Sequence, residues 1–439
     1  MTATCIAIFE EKSTSLKSHI GWNLFGLALP LLLALISIPL LIARIGDERF
    51  GMIALAWAFM SFAGILDLGI GRALTQVVSR LRVQKNTQNV PAVFATASRI
   101  TLVAGLIGSV LIVAFDLLGG SSLLKTQTIP PSEIRNSIFL LAIALPAQAM
   151  SATYRGMNEA YMNFKGINIL RVALGAVNFA GPLLISFMTT NLAWLMASLV
   201  VSRLAALFVF RHLAFSCLKK HEPDYTPQAL VYSKENAKTL ISFGGWVTVS
   251  SILSPLMIQS DRFMIASIIS AAAVTTYVVP YELVVQNLIL VSALSSVIFP
   301  TLTKLMQEKP DEWRPYFHKW LFRIGGLMFV VSVSLMFLMP HILELWLKHN
   351  FNPTSVTVGQ VLCAGIFFNS IGAMYYSMLH ASGKSSVTAK IHIFEVPLYL
   401  IFLYFALHHF GVIGAAIAWA SRMAVDTTLL FINAKRLKI

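Results

Sequence analysis

Hydrophobic residues make up 57% of the 439-residue chain and charged residues only 12%, about half the roughly 25% of an ordinary soluble domain. Repeated apolar runs predict an all-α polytopic membrane protein, and the short alternating strands of a transmembrane barrel are missing. The net charge of +14 invites a nucleic-acid reading, but its distribution argues against one, because most Lys and Arg sit in alternate loops between apolar runs.

Twelve spans are predicted, near 22–43, 50–70, 93–117, 135–155, 166–188, 191–211, 240–268, 275–302, 317–340, 356–380, 388–409 and 411–433. The first 18 residues are polar, so the first span itself is expected to direct insertion rather than a cleaved signal peptide. A polar stretch from Arg211 to Lys238 divides the spans into two sets of six. The expected organisation is an N-terminal tail (1–18), a six-helix lobe (19–212), a linker (213–238), a second six-helix lobe (239–435) and a C-terminal tail (436–439). Arg72, Arg80, Arg82, Lys165, Lys219, Lys220, Lys304 and Lys435 fall on one side and few bases on the other, which places both termini in the cytoplasm. The two halves echo each other: Ile20-Gly21-Trp22 and Gly244-Gly245-Trp246 each precede an apolar run with a proline, Pro30 and Pro255. Parallel repeats of this kind place a substrate pathway between halves.

Charges inside the spans are the candidate functional residues, since a charge at membrane depth costs about 2.5–3.5 kcal/mol on insertion scales. Asp67 closes the second span near Arg72 and suits a capping or ion-pair role. In the fifth span Asn168, Arg171, Gly175, Asn178, Pro182 and Ser186 share one narrow face. Arg171 either snorkels to headgroups or lines a pathway, and the asparagines either line it or hold helices together. In the seventh span Ser251, Pro255, Gln259 and Arg262 form one stripe, with Ser250, Ser254 and Asp261 beside it. A polar half of this kind either lines an aqueous cavity or is satisfied by neighbouring helices. Asp261, Glu282 and Glu395 are candidates for proton or ion coupling, because burial raises a carboxyl pKa. Glu282 lies one turn from Gln286, and Glu395 lies just before Pro397. Arg422 and Asp426, at i and i+4, are expected to form a structural ion pair.

Cys5, Cys217 and Cys363 form no CxxC pair, and the ten histidines show no ligand spacing, so neither metal nor cofactor is expected. No GxxxxGK[ST] phosphate loop is present, and no loop acid pair would hold a metal and a sugar nucleotide. Energy for any transport is expected from a gradient, the membrane potential or consumption of the product.

Several stretches taken in order resemble the polysaccharide flippase branch of the multidrug/oligosaccharidyl-lipid/polysaccharide exporter superfamily. They are IARIGDERFGMIAL, ILDLGIGRAL, YRGMNEAYMNFKGINILR, SDRFMIASIISAAAVTTYVVPYELV and HASGKSSVTAKIHIFEVPLYLIFLYFALHHFGVIGAAIAWASRMAVD. The resemblance implies two six-helix lobes around a central cationic cavity, alternating access and a bacterial inner-membrane location. It implies an undecaprenyl-pyrophosphate-linked oligosaccharide as substrate, with membrane lipid, a polysaccharide polymerase and a chain-length regulator as further partners. Arg262, Gln259, Arg171 and Asn178 are then the substrate-binding candidates, Arg262 first, because arginine grips phosphate through paired donors. Residues 19–43 hold no Asp or Glu, unlike many drug exporters of the superfamily. A cation-coupled multidrug exporter, a membrane-embedded polymerase or ligase, and a non-transporting scaffold are the competing expectations.

Overall fold

A computed structural model describes residues 3–84, 86–221, 231–309, 311–348 and 351–436, with the side chains of 3–31, 63–65, 243–255, 296–297, 300 and 385 outside the description. The polar positions expected at Ser250, Ser251, Ser254 and Pro255, and the mid-span Pro30, fall among those undescribed side chains.

Every major element described is a helix: α1 (Ala3–Ala63), α2 (Ile70–Val83), α3 (Val90–Leu117), α4 (Pro131–Ala160), α5 (Phe164–Ser186), α6 (Leu192–His221), α7 (Lys234–Ile268), α8 (Ala271–Val285), α9 (Leu288–Glu308), α10 (Trp313–Leu347), α11 (Thr354–Ala381) and α12 (Ser385–Arg436). Helices satisfy their backbone polar groups internally, which is what a spanning segment requires. Large apolar side chains face outward along them, including Val110 and Leu111 on α3 and Phe322 and Phe337 on α10. Such a surface suits lipid rather than water. The protein is a multi-pass membrane protein of about twelve spans, as the apolar runs predict.

The connections differ from expectation in three places. The first two spans are one helix interrupted only at Gly46, with φ 78° and ψ 166°, and the last two are one helix interrupted only at Gly411, with φ 57° and ψ −140°. Glycine alone takes such backbone angles without strain, so a single residue replaces a loop. The eighth span is two helices, α8 and α9, broken at Gln286–Asn287. The Asn287 amide nitrogen donates to the Leu283 and Val284 carbonyls at 3.1 Å each, which satisfies carbonyls at the break. The segment between the second and third spans is not all loop, because α2 buries Ile70, Ala73, Leu74 and Val78 on one face and carries Arg80 and Arg82 in its last turn. It is a short amphipathic helix, too polar for a span-length signal and stabilised by basic residues at its C-terminal end.

The chain divides into two compact units. The first holds Met1–Ile45, Phe59–Ser121 and Pro130–Ser251, and the second Gly46–Ala58, Ser122–Ile129 and Ile252–Ile439. In the first unit α4 is central and packs against α2, α3 and α6, while α5 lies on α6. Its core includes Phe94, Met157, Ile167 and Phe210. In the second unit α11 packs against α8, α9, α10 and α12, and Tyr277 of α8 is fully buried. α8 starts with Ser270, whose side chain accepts the Ala273 N–H at 3.1 Å. That bond satisfies one of the orphan donors of the helix start.

Candidate functional site

The first unit contains a cavity of about 340 Å³, within the roughly 300–1,000 Å³ of small-molecule sites. α4 contributes Gln148, Ser151 and Arg155, α5 contributes Arg171 and Asn178, and α6 contributes Arg203. Of the six residues expected on one face of the fifth span, Arg171, Gly175 and Asn178 line the cavity, and Asn168, Pro182 and Ser186 do not. Arg203 joins the three: its Nη2 donates to the Asn178 carbonyl oxygen at 2.9 Å, and its Nε approaches the Met60 sulfur at 3.4 Å. Arg155 and Arg171 are exposed, while Arg203 is half-buried. Arg155 lies 3.6 Å from Glu159 on the next turn, a pairing worth little at such exposure. Asp67 also lines the cavity, but its carboxylate accepts the Gly69 N–H at 2.9 Å just ahead of α2, a capping role. Three guanidinium groups border this one concave surface, and each offers paired donors suited to phosphate or carboxylate oxygens. Arg155 and Arg203 had no assigned role in the sequence. Arg203 sits inside an apolar run, and the rule that intramembrane charges are functional by default would have found it.

The second unit gathers the other expected residues into a buried network. Asp261 is fully buried, and its carboxylate accepts the Tyr277 hydroxyl at 2.6 Å and the Arg262 amide at 2.8 Å. Arg262 is 4% exposed, donates through Nη2 to Glu282 at 3.0 Å and lies over the Tyr281 ring at 5.3 Å. Tyr281 stacks on Tyr277 and meets Trp419 edge-on. The cavity-lining role expected of Asp261 and Arg262 gives way to the alternative, a helix satisfied by its neighbours. The physical reason is mutual: a buried cation and a buried acid each need a partner, and Glu282 and Tyr277 supply them. Gln259 is half-buried, with its Oε1 unpartnered among the described residues.

The expected Arg422–Asp426 ion pair does not form. Arg422 donates through Nη1 to the Met257 carbonyl and lies over the Tyr399 ring at 5.1 Å. Asp426 instead lies 3.6 Å from the His392 Nε2. Helical spacing permits the i, i+4 pair, but a backbone carbonyl and an aromatic face compete for the guanidinium, and an imidazole lies beside the acid. Glu395 is 3% exposed, and neither of its oxygens has a hydrogen-bond partner among the described residues. One ligand atom each from His392, Glu395 and Asp426 lie within 4.8 Å of one another. The three coupling candidates therefore separate, with Asp261 and Glu282 held in the Tyr277–Arg262 network and Glu395 in the cluster with His392 and Asp426.

A family model described as polysaccharide biosynthesis protein matches residues 16–306. A Shigella flexneri protein named as an O-antigen transporter is 29% identical over 409 residues, covering 93% of this chain and 95% of its own. The Escherichia coli lipopolysaccharide biosynthesis protein WzxC is 22% identical over 420 residues, covering 93% and 79%. Among solved structures, a multidrug resistance MATE family transporter of the MOP superfamily, in an inward-facing conformation, superposes with a TM-score of 0.75. That match covers 94% of this chain and 97% of the other at 12% identity, so it speaks for the fold alone.

Proposed function

Because the chain belongs to the polysaccharide biosynthesis protein family, we propose that it is a flippase for a lipid-linked oligosaccharide, not an enzyme. The observation that carries the proposal is the first unit's cavity, where Arg155, Arg171 and Arg203 converge with Asn178. The relatives named for O-antigen transport and lipopolysaccharide biosynthesis support the class of substrate. The substrate proposed is an undecaprenyl-pyrophosphate carrying a sugar repeat unit in a bacterial inner membrane. A polymerase and a chain-length regulator would consume its product.

The physical task is to carry a sugar-pyrophosphate head across about 30 Å of hydrocarbon while the polyprenyl tail remains in lipid. Arginines at the cavity wall replace the water that the phosphates lose, and Asn178 and Gln148 offer hydrogen bonds to the head. Arg262 is left to hold Glu282 rather than to grip phosphate. Movement follows alternating access, with the six-helix halves 19–212 and 239–435 as the moving parts. With the cell interior negative, each negative charge carried outward gains about 2.3 kcal/mol per 100 mV. Exchange for a cation would add to that drive. Glu395 is the strongest of the three acids for this role, because Asp261 and Glu282 are already bonded to Tyr277 and Arg262.

Transport of a fluorescent lipid-linked oligosaccharide in proteoliposomes tests the proposal. Uptake is expected for the unaltered chain and is expected to be lost in Arg171→Ala and Arg203→Ala; uptake that persists in both variants sinks it. An imposed pH step tests coupling, and indifference to it removes the proton. Cation-coupled drug export is the second reading, because a solved transporter of like fold is named for multidrug resistance. Three arginines against one acid disfavour it, since they repel cationic drugs, and drug resistance conferred on a sensitive host would restore it.

A further inference from the structure

The cluster in the second unit is used by neither the cavity nor the Asp261 network. His392 and Glu395 are three residues apart on α12, which puts both on one helix face. Asp426 comes from the same element beyond the Gly411 break. The His392 Nε2 to Asp426 Oδ1 distance is 3.6 Å, and all three ligand atoms fall within 4.8 Å. Glu395 is an independent pointer: it is 3% exposed, its two oxygens have no hydrogen-bond donor among the described residues, and it is aimed into the cluster. A carboxylate buried without partners is costly unless a proton or a cation neutralises it. Arg422 makes no hydrogen bond to Glu395 among the described residues: its Nη1 donates to the Met257 carbonyl and its guanidinium lies over the Tyr399 ring. On the remaining side His392 stacks against Tyr376, which brings no charge.

We infer that His392, Glu395 and Asp426 form a binding site for one divalent transition-metal cation. Two carboxylates and a neutral imidazole balance a charge of +2. One nitrogen and two oxygens suit zinc, cobalt or manganese, whereas sodium, calcium and magnesium prefer oxygen alone. Zinc bonds nitrogen and oxygen at about 2.0–2.2 Å, which sets ligand atoms roughly 3.4 Å apart in a tetrahedron. His392 and Asp426 already stand at nearly that separation, and Glu395 closes on them by a side-chain adjustment. Three protein ligands leave a fourth position open to water, unlike the closed four-ligand shell of a structural zinc site. The site goes beyond the transport proposal and does not depend on it, since metal binding is measured without substrate.

The test uses the full chain in nanodiscs, purified on a tag without histidine and stripped with chelator. Zinc is titrated calorimetrically at neutral pH, and cobalt by its visible absorption. One equivalent per chain is expected. His392→Gln, Glu395→Gln and Asp426→Asn should each weaken binding by more than the roughly 10- to 100-fold that loss of an outer partner costs a metal site. Glu308→Gln, at an exposed acid beside Lys304, should bind as the unaltered chain does. No saturable binding, or equal affinity in the three cluster variants, overturns the assignment. If a variant does not fold, the unaltered chain still decides: zinc should slow diethylpyrocarbonate modification of His392 and leave the exposed His318 unaffected. Equal protection of both, or none, overturns it, and proton uptake alone at Glu395 would give neither cobalt absorption nor protection.

Discussion

Replacing Arg203 by alanine asks most of the cavity. The side chain is half-buried and held by Asn178 at 2.9 Å, so its guanidinium is already oriented before any ligand arrives. Pre-orientation matters because the entropy of fixing a long side chain need not be spent on binding. A hydrogen bond to a charged group contributes about 1.5–3 kcal/mol. At about 1.4 kcal/mol per tenfold, loss of one such bond to a phosphate weakens binding about 10- to 100-fold. Arg203→Lys keeps the charge but loses the planar fork and should fall between. Arg171→Ala should cost less by itself, because that arginine is exposed. The double variant should cost less than the sum of the two, since both act on one head group. The assay is titration of a short-chain polyprenyl pyrophosphate into the nanodisc-embedded protein, with monodispersity and melting as the check on folding. A folded Arg203→Ala whose binding changes by less than about 0.5 kcal/mol, the scatter of neutral surface changes, refutes the assignment of this wall to phosphate.

Tyr277→Phe removes the donor to the fully buried Asp261 and should destabilise by about 1–3 kcal/mol. Tyr399→Phe removes a buried hydroxyl that has no partner among the described residues and should leave the melting temperature nearly unchanged, so equal losses in the two would contradict the network. In the connector at the Gly46 kink, burial pushes the Glu48 carboxyl up, but the Thr128 hydroxyl, the Gln127 and Thr128 amides and the Arg49 charge outweigh it, leaving it below the usual glutamate range. A lowered folded pKa stabilises above the unfolded pKa and is lost as pH falls through the folded value. Melting from pH 7 to 3 should therefore decline faster below about pH 4.3 in the unaltered chain than in Glu48→Gln, and parallel curves would discount the clasp. Gly411→Val forces a branched side chain into φ 57° and ψ −140°. A strain of about 1–3 kcal/mol should appear as lower yield and a lower melting temperature.

What the sequence disclosed and what it hid have one cause. A charge in an apolar run is visible, and Arg171, Asp261, Arg262, Glu282, Glu395, Arg422 and Asp426 were all found that way. The partner that decides a charge's role is not visible, because it comes from another helix. Arg171 and Asn178 were placed correctly on one face since periodicity within α5 is local information. Sequence alone leaves Arg262 between an aqueous passage and a neighbouring partner, since Glu282 and Tyr281 reach it only after α7 and α8 pack. The Arg422–Asp426 pair followed from spacing on one helix and failed to the Met257 carbonyl and to His392, neither of which that spacing can show. Span count was legible because hydrophobicity is summed over many residues, whereas the turns at Gly46 and Gly411 hang on single backbone angles. His392 and Glu395 show the same limit at the smallest scale. Their spacing was readable as a shared helix face, but it became a ligand set only when the Gly411 break carried Asp426 back to them.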